Sequence, residues 1–185
     1  MSETSETPGG ADGAAFWQFS LTVYVRPGVA EACIGLQDRK GLDVNLLLFC
    51  CWAGSRGRSL SAAEIEMLCS AVGAWHREVV RPLRSVRRWL KGREDLAAAE
   101  AGALRADIKA KELEAERIEQ RLLAEALPFD AATPDPVAAA DNLLAYLGAL
   151  ESRPDEMDKG DLATLLAAAL PSLTPQEAAR LLDGG

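Results

Sequence analysis

The segment LQDRKGLDVNLLLFCCWAG, from Leu36 to Gly54, decides the fold of this chain. Its second half, Val44–Ser55, carries no charge and is apolar nearly all round, which predicts a helix covered by protein on every side. Asp43 is placed to cap that helix, and Gly41 supplies the turn after a preceding helix. The run is shorter than the ~20 apolar residues of a membrane-spanning helix, so we expect a buried core helix and no membrane span.

The rest of the sequence also favours helices over strands. Ala and Leu are abundant and β-branched residues are scarce, which is typical of helical proteins. We therefore predict an all-α protein. Ser61 with Glu64 and Thr174 with Glu177 have the spacing of capping boxes, which mark helix starts. The predicted helices span residues 14–25, 27–38, 43–53, 61–80, 82–91 and 94–127, with three more opening at Pro136, near Leu162 and at Pro175.

Composition divides the chain into five parts. We expect a disordered arm, a helical bundle domain, a long charged helix, a linker and a small helical tail, at residues 1–13, 14–92, 93–127, 128–136 and 137–185 respectively. Through Arg93 the chain carries 12 Lys and Arg against 9 Asp and Glu, a net +3. From Glu94 onward the counts are 8 against 19, a net −11, and the two halves add to −8. Halves of opposite charge are expected to face each other or different partners.

The long charged helix has a heptad-like apolar stripe. Its members follow a 3-4 alternation with one polar break: Ala101, Leu104, Ile108, Lys111, Ala115, Ile118 and Leu122. Such a stripe packs against one partner helix, in this chain or in another, as in a coiled coil. We therefore expect a protein partner or self-association through residues 94–127.

The polar residues beside the apolar run have two interpretations. Gln37, Asp38, Asp43 and Asn45, with Arg84 from a later helix, are candidates for lining a ligand pocket. Alternatively they hold the helices in register: Asp38 ends one helix, Asp43 caps the next, and Asn45 bonds a backbone group of a neighbouring helix. Because buried polar groups need partners, the structural interpretation comes first and the pocket second.

A basic stripe runs across the proline at position 82. Its members recur every three or four residues: Arg77, Arg81, Arg84, Arg88 and Lys91. The stripe predicts either phosphate binding or a solvated face paired with the acidic long helix. The acidic half of the chain would repel nucleic acid, so we favour the second interpretation and expect no nucleic-acid partner. Arg84 is the exception, since it can turn inward to pair with an acid of the second or third helix.

No recognisable set of catalytic residues, cofactor motif or metal site is visible. The single histidine, His76, has no partner at helical spacing, so we interpret it as a structural or surface residue. The cysteines, Cys33, Cys50, Cys51 and Cys69, lie in apolar stretches without a CxxC pair, which indicates buried reduced thiols. The acidic N-terminus has no apolar segment of the kind found in secretory signals. These observations predict a cytoplasmic protein that is not an enzyme.

Three blocks carry a family resemblance: FWQFSLTVYVRPGVAEACIGLQD, DVNLLLFCCWAG and WHREVVRPLRSVRRWLK. Together they resemble a family of small proteobacterial proteins known as conserved hypothetical proteins of unknown function, over residues 16–91. The resemblance implies a bacterial cytoplasmic origin and supplies no reaction, cofactor or partner. The matching positions are Trp17, Tyr24, Leu36, Gln37, Asp38, Asp43, Val44, Asn45, Leu47, Leu48, Trp52, Trp75, Pro82, Leu83 and Arg84.

The functional hypotheses can be ordered from these patterns. The first is a non-enzymatic interaction or scaffold protein, since the long helix and the divided charge come without catalytic groups. The second is a small-ligand binder or enzyme with a polar pocket around Asp38, Asp43, Asn45 and Arg84. The third is an anion or nucleic-acid binder that uses the basic stripe.

Overall fold

A computed structural model describes residues 8–93 and 98–184. Over these ranges the protein is all-α, as predicted, and no strand is formed. Residues 1–7 of the predicted disordered arm lie outside the described residues, and the first helix begins at Pro8 rather than at Ala14. The helices are α1 (Pro8–Tyr24), α2 (Val29–Lys40), α3 (Val44–Ser55), α4 (Ala62–Trp75), α5 (Arg81–Trp89), α6 (Ala98–Ala126), α7 (Pro136–Ala149), α8 (Glu156–Ala169) and α9 (Pro175–Asp183).

Helix α3 is the centre of the protein. Every residue from position 45 to 54 is buried, and α1, α2, α6, α7 and α8 all pack against this helix. Around it Phe16, Phe49 and Trp52 form an aromatic cluster with ring centroids 5.1–5.5 Å apart. The prediction of a central, fully covered helix is confirmed, and its physical reason is that an all-round apolar surface can only be stabilised by contact on every side.

The predicted caps at Asp43, Ser61 and Thr174 are confirmed in atomic detail. The Asp43 side chain accepts a hydrogen bond from the amide of Asn45, and both predicted capping boxes are formed. Gly41 ends α2 with φ +68°, the left-handed conformation that glycine adopts without strain. Short side-chain bonds to orphaned amides therefore set most helix boundaries in this chain.

Proline 82 does not break the helix that contains His76. Residues His76–Val80 form one π-helical turn between α4 and α5, so the helical path runs on from Ala62 to Trp89. In this turn the Arg81 amide donates to the His76 carbonyl, five residues earlier. The wider turn absorbs the proline and displaces the following side chains around the helix axis, which changes where His76 and the arginines of α5 point.

Helix α6 packs along its own chain, against α1, α4 and α5. Residues 94–97 of the predicted long helix lie outside the described residues. Within α6 the predicted apolar stripe is only partly the packed face: Ala115 is buried, whereas Leu104 and Lys111 are exposed. The buried face includes Glu112, Glu119 and Gln120 instead, so polar side chains of this helix enter the interior.

The C-terminal helices share one hydrophobic core with the N-terminal helices. Leu143 and Tyr146 of α7 and Leu166 of α8 belong to the same buried cluster as Phe49. The connecting segment that we predicted as a linker is fastened to the end of α3, because Asp135 donates its amide to the Gly54 carbonyl and the ring centroids of Phe129 and Trp52 lie 5.0 Å apart. Helix α7 can approach α3 closely because Gly54 has no side chain.

A buried aspartate joins α8 to α2. Asp158 is 0% exposed, and its two oxygens lie 2.9 Å from an Arg39 nitrogen and 3.0 Å from Lys40 Nζ. Burial would raise the pKa of Asp158, but hydrogen bonds from the Asp155 amide, Lys40 and Arg39 outweigh it and lower the pKa below its ordinary value. The carboxylate is therefore charged and paired at neutral pH.

The four cysteines are free and mostly buried, as the sequence predicts. Cys33, Cys50 and Cys51 are buried and Cys69 is half-buried, and all four are free thiols. Burial raises the pKa of Cys33 to about 12 and that of Cys51 above its ordinary value, so these groups stay protonated.

In the part of the chain that the structure describes, the helices are too short or too polar to cross a membrane.

Candidate ligand-binding site

A cavity of about 750 Å³ lies between α1, α2, α3, α5 and α6. Four of the five residues predicted to line a pocket are among its walls: Gln37, Asp38, Asn45 and Arg84. The fifth, Asp43, lies behind the wall as the cap of α3. The apolar part of the wall comes mainly from α1, α2 and α3, with Trp17, Leu21, Ala30, Ile34, Val44 and Leu48.

The basic stripe divides at this cavity. Arg84, Arg88 and Lys91 line it, together with Arg87, whereas Arg77 and Arg81 do not. Arg77 instead contacts the neighbouring Glu78 at the surface. The five cations of the stripe therefore do not all line the cavity.

Arg84 is paired, but with a different helix from the one we predicted. Its Nε lies 3.0 Å from Glu112 Oε1 and a terminal nitrogen lies 2.6 Å from Glu116 Oε1, both on α6 rather than on α2 or α3. Arg87 also binds Glu112. Burial would raise the pKa of Glu112, but the two arginines outweigh it and hold the pKa below its ordinary value. The packing of α5 on α6 supplies these partners.

Each carboxylate that lines the cavity forms an ion pair with an arginine. Asp38 lies 2.7 Å from Arg88, and Glu112 and Glu116 are held by Arg84. Three further cations of the wall, Lys91, Arg105 and Lys109, have no ion-pair partner among the described residues. The wall thus carries six cations and three carboxylates: Arg84, Arg87, Arg88, Lys91, Arg105 and Lys109 against Asp38, Glu112 and Glu116.

Three residues that line the same cavity each carry a buried polar atom without a partner in the described protein. Ser20 is 3% exposed and Gln120 is 2% exposed, and Ser20 Oγ and Gln120 Oε1 have no hydrogen-bond partner in the described protein. Arg105 Nε is likewise buried and unpartnered. All three residues line the cavity. Buried polar groups in proteins are nearly always hydrogen-bonded, so these atoms indicate a group that the cavity receives from outside.

Behind the cavity lies a buried network around His76. The imidazole Nδ1 is 3.0 Å from Asp43 Oδ2 and 3.1 Å from Glu119 Oε1. Asp43 caps α3, His76 lies in the π-helical turn and Glu119 belongs to α6. The network therefore ties three separate elements together at one point.

The environment of each group in this network alters its pKa. Burial would lower the pKa of His76, but the hydrogen bonds to Asp43 and Glu119 outweigh it and raise the pKa to about 9. Burial raises the pKa of Glu119 to about 7, although His76 opposes this. Burial would also raise the pKa of Asp43, but His76 lowers it below its ordinary value. At neutral pH an imidazolium therefore pairs with the Asp43 carboxylate.

Asn45 connects this network to the cavity. Its Nδ2 donates to Glu119 Oε2 at 2.6 Å, and its Oδ1 accepts from Gln120 Nε2 at 2.8 Å. We predicted that Asn45 bonds a backbone group of a neighbouring helix. Its partners are side chains instead, because α6 presents Glu119 and Gln120 at this depth. Asn45 is therefore held at both ends of its amide while it lines the cavity.

Sequence reasoning missed the partners of His76 and the role of α6. Asp43 and Glu119 are distant from His76 in sequence, so only the tertiary structure brings them together. One signal was available: Glu112, Glu116 and Glu119 have the 4-3 spacing of one helix face, followed by Gln120. We favoured only a general pairing of the basic stripe with this acidic helix; in the structure Glu112 and Glu116 pair with Arg84 at the cavity wall, and Glu119 joins the His76 network.

Asp43, His76 and Glu119 also have the geometry of a metal-ion site. Among the described residues they form a group whose ligand atoms all lie within 4.8 Å of one another. One carboxylate oxygen of Asp43 and one of Glu119 face the imidazole, while the others bind Asn45. A protonated Nδ1 satisfies both facing oxygens, so the arrangement is complete as an ion-pair network, and we interpret it in this way.

Comparison with known proteins identifies the family but no activity. Neither the curated proteins nor the solved structures contain a match to this chain. A family model described as "Protein of unknown function (DUF2390)" matches residues 15–123, from α1 to most of α6. The matched region contains every residue of the cavity wall and all three residues of the His76 network. The chain belongs to the DUF2390 family of proteins of unknown function.

Proposed function

We propose that this protein binds a small molecule in the cavity between α1, α2, α3, α5 and α6. The observation that carries the proposal is the pair of buried, unpartnered atoms, Ser20 Oγ and Gln120 Oε1, in a cavity of about 750 Å³. Ligand sites of proteins commonly have volumes of about 300–1,000 Å³ and combine apolar walls with a few polar groups. The cavity matches that description in size and in composition.

A purely structural role does not account for the cavity. A buried donor or acceptor without a partner costs ~1–3 kcal/mol, and three of the five such side-chain atoms of the described protein belong to residues of the cavity wall. A chain selected only for stability would place apolar side chains there, as around α3. A bound molecule that hydrogen-bonds Ser20 and Gln120 would offset that cost, which favours the pocket hypothesis over the interaction hypothesis that came first from the sequence.

The proposal is tested by isothermal titration calorimetry with a series that shares one apolar body. The probes are 1-naphthol, 1-naphthoate, 1-naphthyl phosphate and 1-naphthylamine, each up to 1 mM. We expect at least one of them to bind with a stoichiometry of one. The substitution Ala30→Trp, which fills the cavity, should abolish binding. The matched substitution Ala63→Trp, at an exposed position of α4, should leave it unchanged.

Two results would overturn the proposal. The first is the absence of binding by every member of the series. The second is binding that survives Ala30→Trp in a protein whose circular dichroism spectrum is unchanged, because the site would then lie elsewhere.

Residues 94–127 support a second hypothesis, in which this protein interacts with a partner or with itself. Leu104 and Leu113 are about half exposed on α6, so this helix keeps apolar surface that its own chain does not cover. A coiled coil or scaffold role through this helix stays a prediction. The same holds for a proteobacterial origin and a cytoplasmic location, which rest on the resemblance of residues 16–91.

A further inference from the structure

We infer that the ligand of this cavity is an organic anion, with a carboxylate or phosphate head group beside Lys91, Arg105 and Lys109 and a compact apolar body against α1 and α2. The inference rests on the proposed function and names the chemical class that the site accepts. Its basis is the charge, the hydrogen-bonding capacity and the apolar surface of the wall.

The charge of the cavity is opposite to the charge of the chain. The whole chain carries −8, yet six cations and three carboxylates line the cavity, a local excess of three positive charges. Arg84, Arg87 and Arg88 account for the three carboxylates by direct ion pairs. The excess therefore resides on Lys91, Arg105 and Lys109, which are left to balance a charge that comes from outside.

Arg105 provides the most specific point of attachment. Its Nε is buried and lacks a partner in the described protein, on a side chain that is only partly exposed. A guanidinium group presents a planar fork of donors that fits the two oxygens of a carboxylate or phosphate. An anionic head group would satisfy this donor, and a neutral ligand would leave it uncompensated.

The apolar part of the ligand is inferred from exposed hydrophobic side chains in the cavity wall. Leu21, Ile34 and Leu113 are 39%, 46% and 49% exposed, and all three line the cavity. Trp17 and Leu48 complete this part of the wall. Because a ligand of purely ionic character would leave that surface in contact with water, the site favours a molecule with both an apolar and an anionic part.

The depth of the site indicates where the two parts of the ligand lie. Ser20 and Gln120 are almost fully buried, whereas Lys91 and Lys109 are exposed. A polar atom on the apolar body would therefore meet Ser20 Oγ and Gln120 Oε1 at the inner end, with the anionic group at the outer rim. Gln120 is held in place by its bond to Asn45, so the inner end is preorganised.

The test compares head groups on the same naphthalene body. At 50 mM salt we expect 1-naphthoate or 1-naphthyl phosphate to bind at least ~10-fold more tightly than 1-naphthol, as a charge-assisted hydrogen bond implies. Affinity should fall as salt is raised to 500 mM, because exposed cations contribute to it. Whichever anion binds more tightly distinguishes a carboxylate from a phosphate head group.

Variants locate the head group. Arg105→Gln and, separately, Lys109→Gln should each lower the affinity for the more tightly bound anion by ~10-fold. The affinity for 1-naphthol should not change. The matched control is Arg117→Gln, which removes an exposed cation from the same helix but outside the cavity, and it should change neither affinity. Neither Arg105 nor Lys109 takes part in an ion pair of the described protein, so both variants are expected to fold.

The outcomes separate this inference from the proposed function. Equal affinities for the anions and for 1-naphthol would refute the anionic class while the cavity remained a ligand site. Equal affinities for inorganic phosphate and 1-naphthyl phosphate would refute the apolar body. No binding by any of the probes would refute the proposed function itself.

Discussion

Replacing His76 by glutamine is expected to reduce the loss of stability that the protein undergoes between pH 6 and pH 9.5 by about 3 kcal/mol. In the folded state the pKa of His76 is about 9, because Nδ1 lies 3.0 Å from Asp43 Oδ2 and 3.1 Å from Glu119 Oε1. A histidine in an unfolded chain has a pKa near 6.5. The folded protein therefore holds this proton more tightly than the unfolded chain does.

The sign and the size of the effect follow from linkage. A raised folded-state pKa contributes stability that is fully present below pH 6.5 and is lost as the pH rises through about 9. A difference of about 2.5 pH units at ~1.36 kcal/mol each corresponds to about 3 kcal/mol of unfolding free energy. The His76 side chain is only 15% exposed, so solvent screening removes little of this.

Neighbouring groups act in the same direction or not at all in this range. Burial raises the pKa of Glu119 to about 7, so it also stabilises the fold less as the pH rises from 4.5 to 7. Burial raises the pKa of Glu116, Cys69 and Tyr146 as well. The buried thiols stay protonated in the folded protein, whereas thiols of an unfolded chain ionise near about pH 8.5, so they add a loss of stability above that pH. The wild-type protein and His76→Gln share this loss, so the difference between their pH profiles belongs to His76.

The assay is urea unfolding followed by circular dichroism at pH 6, 7.5 and 9.5. The wild-type protein should lose about 3 kcal/mol more than His76→Gln over this interval. Glu119→Gln serves as a second variant, because it keeps the Asp43–His76 pair and should retain the loss above pH 7 while reducing the slope below it. Parallel pH profiles of the wild-type protein and His76→Gln would refute the reasoning.

Three further predictions concern packing, the buried aspartate and assembly. Gly54→Ala should lower the melting temperature sharply, because the added Cβ would lie 2.6 Å from the Ala139 amide nitrogen, whereas Gly102→Ala, in open space on α6, should stabilise the protein by ~0.5–1 kcal/mol. Equal changes in stability for Gly54→Ala and Gly102→Ala would contradict the close contact between α3 and α7. Asp158→Asn should cost about 2 kcal/mol at pH 7 in urea unfolding. Because the pKa of Asp158 is lowered, its contribution is present above pH 4 and lost in more acidic solution, so the variant and the wild-type protein should converge there. Sedimentation at micromolar concentrations should show self-association that Leu104→Lys, at an exposed apolar position of α6, weakens, and a strictly monomeric protein would count against a homodimer.

Local interactions explain the parts of the fold that were predictable. Asp43, Ser61 and Thr174 cap helices because a side-chain oxygen binds an amide only two or three residues away. The apolar run of α3 predicted a buried helix without any knowledge of which helices would pack against it. Even the placement of Gln37 and Asp38 at a cavity followed from their position beside that run.

The candidate site depended on contacts between distant parts of the chain. Asn45 was a candidate from the sequence, but its partners Glu119 and Gln120 lie 74 and 75 residues away on α6, and no local pattern brings them to it. His76 had no partner at helical spacing, and the π-helical turn that places it is not visible in a pattern of residues.

The sequence by itself determined that this protein is all-α, that α3 is its centre and where most helices begin, since periodicity and capping act within a few residues. The tertiary structure alone decided which face of α6 points inward, how Asp43, His76 and Glu119 meet, and that three cations of the cavity wall have no ion-pair partner among the described residues. The physical reason is that a carboxylate enters the interior only when another helix brings a cation or a donor to it, and such pairing is a property of packing rather than of local sequence.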